Sequence, residues 1–253
     1  MDLKSKVCKV FYSIFAMVFM SFSLRASNQQ VEEPIVLIKN DWSSQIVLTH
    51  ITAGLLKQLG YQTELSTKDS NVQWGMIGRG MAHVQMEVWQ GTMESEFNRL
   101  VNSGALIDLG SHDAFTREDW WYPTYVEELC PGLPDWRALK SCAHIFSSHK
   151  SGAKGIYLGG PWEKPDEARI RALGLKFKVL KVKHADELWP KLKQAYNKKK
   201  PIILFNWTPN CVEAEFDGKF VEFPEYHPDC ESVPEWGENK SFLFDCGNTS
   251  VAG

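Results

Sequence analysis

Four tryptophans stand where this chain could do chemistry. Phe205-Asn206-Trp207-Thr208-Pro209-Asn210 follows Pro201-Ile202-Ile203-Leu204, an apolar run that ends at turn residues and reads as a buried strand. Trp207 therefore falls just past a strand's C-terminal end, the edge at which open α/β sheets take ligands. Trp89 ends the stretch Val84-Gln85-Met86-Glu87-Val88 in the same way, and Trp42 falls at the first strand-to-helix turn. Trp162 follows Gly155-Ile156-Tyr157-Leu158 and the pair Gly159-Gly160, where the missing side chains let backbone N–H groups approach a ligand. Large flat π faces around a cleft suit a poorly hydrated cation such as a quaternary ammonium, which is held by cation–π attraction. An anionic end of the same ligand would need donors, and Ser43, Ser44 and the Gly159-Gly160 backbone are placed to supply them. Catalytic signatures are absent: there is no Gly-x-Ser-x-Gly, no P-loop and no Gly-x-Gly-x-x-Gly after a strand. Glu87 and Glu94 are read as structural or solvated carboxylates, not as an acid–base pair.

The elements that must carry these residues follow from periodicity. Residues 34–39 read as a strand, 46–59 as a helix ended by Gly60, 61–65 as a strand, 71–79 as a helix, 83–88 as a third strand and 92–101 as a helix. That is β-α-β-α-β with short connections, which predicts a parallel sheet with right-handed crossovers. Asp119-Trp120-Trp121-Tyr122-Pro123 breaks the pattern and reads as a crossing segment and a hinge, with a second hinge at 223–226. Beyond it, a helix capped by Asp135 to about 146, a strand at 155–158, a helix at 163–173, a strand at 176–182 and a helix at 185–199 precede the strand that delivers Trp207. Residues 219–224 read as a strand that crosses back.

The chain has 253 residues, with 43% hydrophobic, 23% charged and a net charge of −3, an ordinary globular balance. Nothing in it predicts nucleic-acid binding, which would want a basic face. Its ten tryptophans are the departure from average. Lys4, Lys6 and Lys9 precede an apolar stretch from Val10 to Leu24 and a cleavage-like Leu24-Arg25-Ala26, so residues 1–26 are expected to be a signal peptide cut near Ala26, with an uncleaved anchor as the alternative. The exported chain would be periplasmic. Five cysteines follow that segment, and export permits disulfides. The nearest-neighbour pairing is Cys130–Cys142 and Cys230–Cys246, leaving Cys211 over. No Cys-x-x-Cys and no i, i+4 histidine pair beside a carboxylate occurs, so neither a metal nor a cofactor is expected.

Five motifs in order carry a resemblance: Asn40-Asp41-Trp42-Ser43-Ser44, Glu87-Val88-Trp89-Gln90-Gly91-Thr92, Leu129-Cys130-Pro131-Gly132-Leu133-Pro134-Asp135-Trp136, Asn206-Trp207-Thr208-Pro209-Asn210 and Asp245-Cys246-Gly247-Asn248. From residue 34 onward the chain resembles the substrate-binding proteins of ABC transporters for glycine betaine, choline and related compounds. The resemblance implies an α/β, two-lobed periplasmic binding protein (type II-like) that closes about a hinge. Its lobes would span 32–118 and 119–224, with a return segment at 225–253. It also implies a tryptophan box for a methylated ammonium group, with Trp42 and Trp89 from the first lobe, Trp207 from the second, and Trp162 and Trp121 as further aromatic contacts. Members that bind trimethylamine N-oxide are similar around Asp119-Trp120-Trp121-Tyr122-Pro123, and by that likeness Glu118 is the acidic contact. The implied partners are a small methylated amine and an ABC permease in the inner membrane, and a monomer is expected. Two departures stand out: Cys211 replaces an expected aromatic, and family members continue beyond residue 253, so the first lobe is expected to expose an apolar face. The competing readings are an exported carbohydrate-binding protein lined with tryptophan and an enzyme acting on a methylated amine.

Overall fold

The computed structural model describes residues 33–112, 114–149 and 151–247. The expected signal peptide, residues 1–26, lies outside them, as does the tail from 248. Among the described residues no helix is long and apolar enough to cross a membrane.

Strand β1 (Ile35–Lys39) pairs in parallel with β2 (Thr63–Thr67), in register from Ile35↔Thr63 to Lys39↔Thr67. Helix α1 (Ser43–Gln58) makes the crossover. It ends in a Schellman arrangement, in which Gly60 takes φ +95° and the N–H groups of Gly60 and Tyr61 donate to the carbonyls of Lys57 and Leu56. Helices α2 (Gln73–Ile77) and α3 (Gln90–Asn102) follow. The third strand expected at 83–88 is reduced to one parallel bridge, Leu37↔Val84. The backbone N–H of Glu87 donates to the side chain of Gln85 instead of to a neighbouring strand, and the ladder stops there.

The second sheet has five strands in the order β5 (Phe177–Lys181), β4 (Gly155–Gly159), β6 (Leu204–Thr208), β3 (Arg117–Pro123) and β7 (Gly218–Phe220). Strand β3 (Arg117–Pro123) is antiparallel to β6 (Leu204–Thr208) on one side and to β7 (Gly218–Phe220) on the other. Residues 119–123, which break the sequence pattern, are regular sheet. They are a buried strand bonded on both sides, and Pro123 is accommodated because it is the last residue, opposite Gly218. The helix expected from Asp135 is broken into α4 (Leu139–Cys142) between the 3-10 turns Trp136–Ala138 and Ala143–Phe146; Asp135 caps the first turn by accepting from Arg137 N at 2.8 Å. Strand β4 (Gly155–Gly159), helix α5 (Asp166–Ala172), strand β5 (Phe177–Lys181) and helix α6 (Leu188–Asn197) then precede β6. The short α7 (Val212–Glu215) links β6 to β7. Strands β4, β5 and β6 run parallel. Cys130 is disulfide-bonded to Cys142 and Cys230 to Cys246, with Cα separations of 5.4 and 6.3 Å, while Cys211 is free and exposed.

The main hydrophobic cluster is built on the five-stranded sheet, yet it includes Trp42 and Trp89 from the first sheet's side. That side has a small core of its own around Ile38, Ile77 and Ala82. On α1, Val47, Ile51, Leu55 and Leu59 recur at i, i+4, i+8 and i+12, and each is more than half exposed.

Candidate functional site

A buried amide network fixes the turn that carries Trp42. Gln45 Oε1 accepts from Asn40 N at 2.8 Å, and Gln45 Nε2 donates to Ile38 O and to Gln85 Oε1. Gln85 Nε2 donates back to Asn40 Oδ1 at 2.9 Å and also reaches Gln73. The strand-to-helix turn at 40–45 and the segment 85–89 are thereby locked together, and each ends with an indole pointed at the same acid. Glu87 Oε1 accepts from Trp42 Nε1 at 2.7 Å, from Trp89 Nε1 at 2.6 Å and from the Ser44 hydroxyl at 2.9 Å. Glu87 is 5% exposed, and its second oxygen is buried without a protein partner. Three donors thus converge on one oxygen of a buried carboxylate at the N–H edges of two indoles.

The five-stranded sheet supplies the opposing wall. The Trp162 ring meets Trp42 edge-on at 6.1 Å, Trp207 edge-on at 5.6 Å and Phe205 at 5.3 Å between centroids. Trp207 also packs against Trp189 at 5.4 Å, and its buried indole N–H has no protein acceptor. Gly160 serves this wall in a way the sequence reading did not anticipate. A Cβ there would come within 2.4 Å of the Trp162 ring, so the glycine makes room for an aromatic ring and is not shown exposing backbone to a ligand. Asp41 closes the gap between the two sides. Burial raises its carboxyl above the ordinary value, against the pull of hydrogen bonds from its own backbone, the Trp162 indole and the Ala185 backbone.

Glu118 sits in β3 opposite Trp207 of β6, which puts both side chains on one face of the sheet. Its carboxylate accepts from Lys164 Nζ, and both side chains are almost fully buried. Lys164 Nζ lies 5.2 Å from the centroid of Phe205.

The expected residues Trp42, Trp162 and Trp207 thus form a chain of ring contacts, Trp89 is tied to Trp42 through the shared Glu87 oxygen, and Glu118 borders the group. Trp121 goes elsewhere. Strand alternation turns it away from Glu118, and its ring lies against Gly218 of β7, where a Cβ would approach within 1.9 Å. Ser44 is present, but its hydroxyl is engaged by Glu87. Glu87, Lys164 and Phe205 were not assigned to the site from the sequence. Glu87 had a usable signal: it lies two residues before Trp89 in an extended segment, so both side chains leave on the same side. Lys164 had none, because a lysine after Pro-Trp-Glu reads as surface.

The chain matches the family described as the substrate binding domain of ABC-type glycine betaine transport system over residues 33–250. It is 37% identical over 227 residues to a trimethylamine N-oxide-binding protein of Pelagibacter ubique, covering 86% of this chain and 71% of that one. A glycine betaine/L-proline-binding protein of Borrelia burgdorferi superposes with a TM-score of 0.64 at 16% identity, over 78% of this chain and 70% of its own. The lactococcal OpuAC in its closed form with glycine betaine gives 0.59 at 15% identity, over 75% and 70%. A choline-binding protein in complex with choline gives 0.60 at 18% identity, over 75% and 65%. These likenesses show the two-lobed α/β fold of periplasmic binding proteins, and with the family match they establish that this chain belongs to the substrate-binding domains of ABC-type glycine betaine transport systems.

Proposed function

We propose that this chain captures one small methylated ammonium compound between Trp42 and Trp89 on one side and Trp162 and Trp207 on the other, and delivers it to an ABC permease without chemical turnover. The observation that carries the reading is Glu87, whose single oxygen orients both first-side indoles by accepting at their N–H edges and places a carboxylate beside their rings. A trimethylammonium head has no N–H to donate, so flat electron-rich faces and a nearby negative charge are what recognise it. Each desolvated cation–π contact is worth about 2 kcal/mol. The indoles now touch one another edge-on, so ligand entry parts Trp162 from Trp42 as the two sides open. That motion is a hinge closure in reverse.

The relative that binds trimethylamine N-oxide makes that compound the first to try, with glycine betaine and choline beside it. The working form is an exported, periplasmic monomer whose lobes span 32–118 and 119–224, with 225–253 returning toward the first. Calorimetry and tryptophan fluorescence on the purified chain should show micromolar binding of at least one of the three. Trp207→Ala and Trp89→Ala should each abolish it; retained affinity in both would sink the box. Binding of sugars but of none of the three amines would favour a carbohydrate-binding protein.

A further inference from the structure

We infer that Lys164 makes this box prefer dipolar methylated amines, in which an oxyanion accompanies the methylated nitrogen, over ligands that carry only the positive charge; the inference rests on the reading above. Lys164 lies in the turn between β4 and α5, two residues after Trp162. Its side chain is 6% exposed and that of its partner Glu118 is 7% exposed. The ammonium stands 5.2 Å from the Phe205 centroid, and Phe205 is itself 5.3 Å from Trp162 and 6.0 Å from Trp207. The protein has therefore placed a positive charge of its own in the wall of an aromatic cluster built for a cation.

Two consequences follow from that placement. An ammonium has three N–H donors, and Glu118 Oε1 takes one of them. A ligand oxyanion reaching this wall gains a charge-assisted hydrogen bond from the others. A ligand with only a positive charge gains nothing there, and it meets a like charge across a poorly screened distance. The carboxylates of Asp41, Glu87 and Glu118 outnumber the single ammonium of Lys164, so the walls of the box keep a net negative charge. That is enough to hold a methylated head at the Glu87 side, while Lys164 neutralises the Glu118 side for an oxyanion. Glu118 then acts as a positioning residue that holds Lys164 in the wall, not as the contact for the methyl groups.

The test is titration of the wild type, Lys164→Met, Lys164→Arg and the double variant Lys164→Met/Glu118→Gln with trimethylamine N-oxide, glycine betaine and choline by calorimetry. Circular dichroism is recorded on each variant. The wild type should prefer a dipolar ligand to choline by at least tenfold. Lys164→Met should cut that preference at least tenfold, both by weakening the dipolar ligand and by strengthening choline against the uncovered Glu118. If the unpaired carboxylate unfolds that variant, the double variant decides, because it buries no lone charge; it should lose the preference without gaining choline affinity. Lys164→Arg should keep the preference. An unchanged preference in the double variant, or a wild type that favours choline, overturns the role of Lys164 and leaves the methylated-amine reading intact. A folded wild type that binds none of the three removes both.

Discussion

Glu87 separates two things a carboxylate can do behind an aromatic box. Its Oε1 orients Trp42 and Trp89, and in the proposed box its charge would attract the enclosed cation. Glu87→Gln keeps an oxygen for the indoles and removes the charge. We expect the fold to survive and affinity for a methylated ammonium to fall by about tenfold, roughly 1.4 kcal/mol. Glu87→Ala leaves two buried indole N–H groups unpaired, at about 1–3 kcal/mol each, so it should lower the melting temperature as well as abolish binding. Unchanged affinity in Glu87→Gln beside lost affinity in Glu87→Ala would show that Glu87 is only a scaffold. Paired thermal melts and calorimetry distinguish these outcomes.

At the scale of elements, β3 and α5 are joined by buried charge. Asp119 of β3 accepts from Arg169 Nη1 of α5 at 2.8 Å, and Asp166 of α5 accepts from Trp120 Nε1 at 2.8 Å. All three ionisable side chains are buried. Burial raises the Asp166 carboxyl, with Arg169 and the Trp120 hydrogen bond opposing the rise. A carboxyl raised in the folded chain stabilises fully below its ordinary value and loses that contribution as pH rises through the folded value. Asp166→Asn should therefore raise the melting temperature at neutral pH, and the gain should vanish as pH falls below about 4. Arg169→Met leaves buried carboxylates without their counter-ion and should cost about 3–5 kcal/mol in a denaturant melt. These elements show what the sequence made legible. The strands at 155–159 and 177–181 were readable because short apolar runs end at turn residues, and α1 because Gly60 stops it, whereas the strand expected to end before Trp207 is displaced to Leu204–Thr208 and carries Trp207 within it. Strand β3 was misread because Pro123 and three adjacent aromatics look like a breaker until Gly218 is seen to face the proline. Trp42 and Trp162 do follow strands as expected, whereas Trp207 lies within β6 and Trp89 follows a segment that makes only one bridge. Trp121 was not separable from them, because which face of β3 it takes depends on pairing with β6 and β7.

At the scale of the whole molecule, the apolar surface is distributed unevenly. The five-stranded side encloses its aromatics, whereas α1 turns Gln45, Thr49 and Ala53 inward and leaves Val47, Ile51, Leu55 and Leu59 facing outward. Ile107, Leu109 and Phe115 add three more side chains that are at least 78% exposed on the stretch leading out of the first side. Four apolar residues in one line along a helix form a continuous patch of the kind that soluble monomers seldom leave uncovered. The chain should accordingly bind the dye ANS in its native state and scatter light as its concentration is raised, even though its box is intact. Ile51→Glu combined with Leu55→Lys places an acid four residues ahead of a base on the same helical face, the favourable order for an exposed pair. That variant should lose most of the dye binding and the scattering. Its ligand affinity should be unchanged, because Trp42 is held by Glu87 and by the Asn40–Gln45–Gln85 amides on the opposite, inward side of α1. Dye binding that survives the double substitution would locate the sticky surface on the 107–115 stretch instead, and a fall in ligand affinity would mean that α1 transmits changes from its outer face to the box.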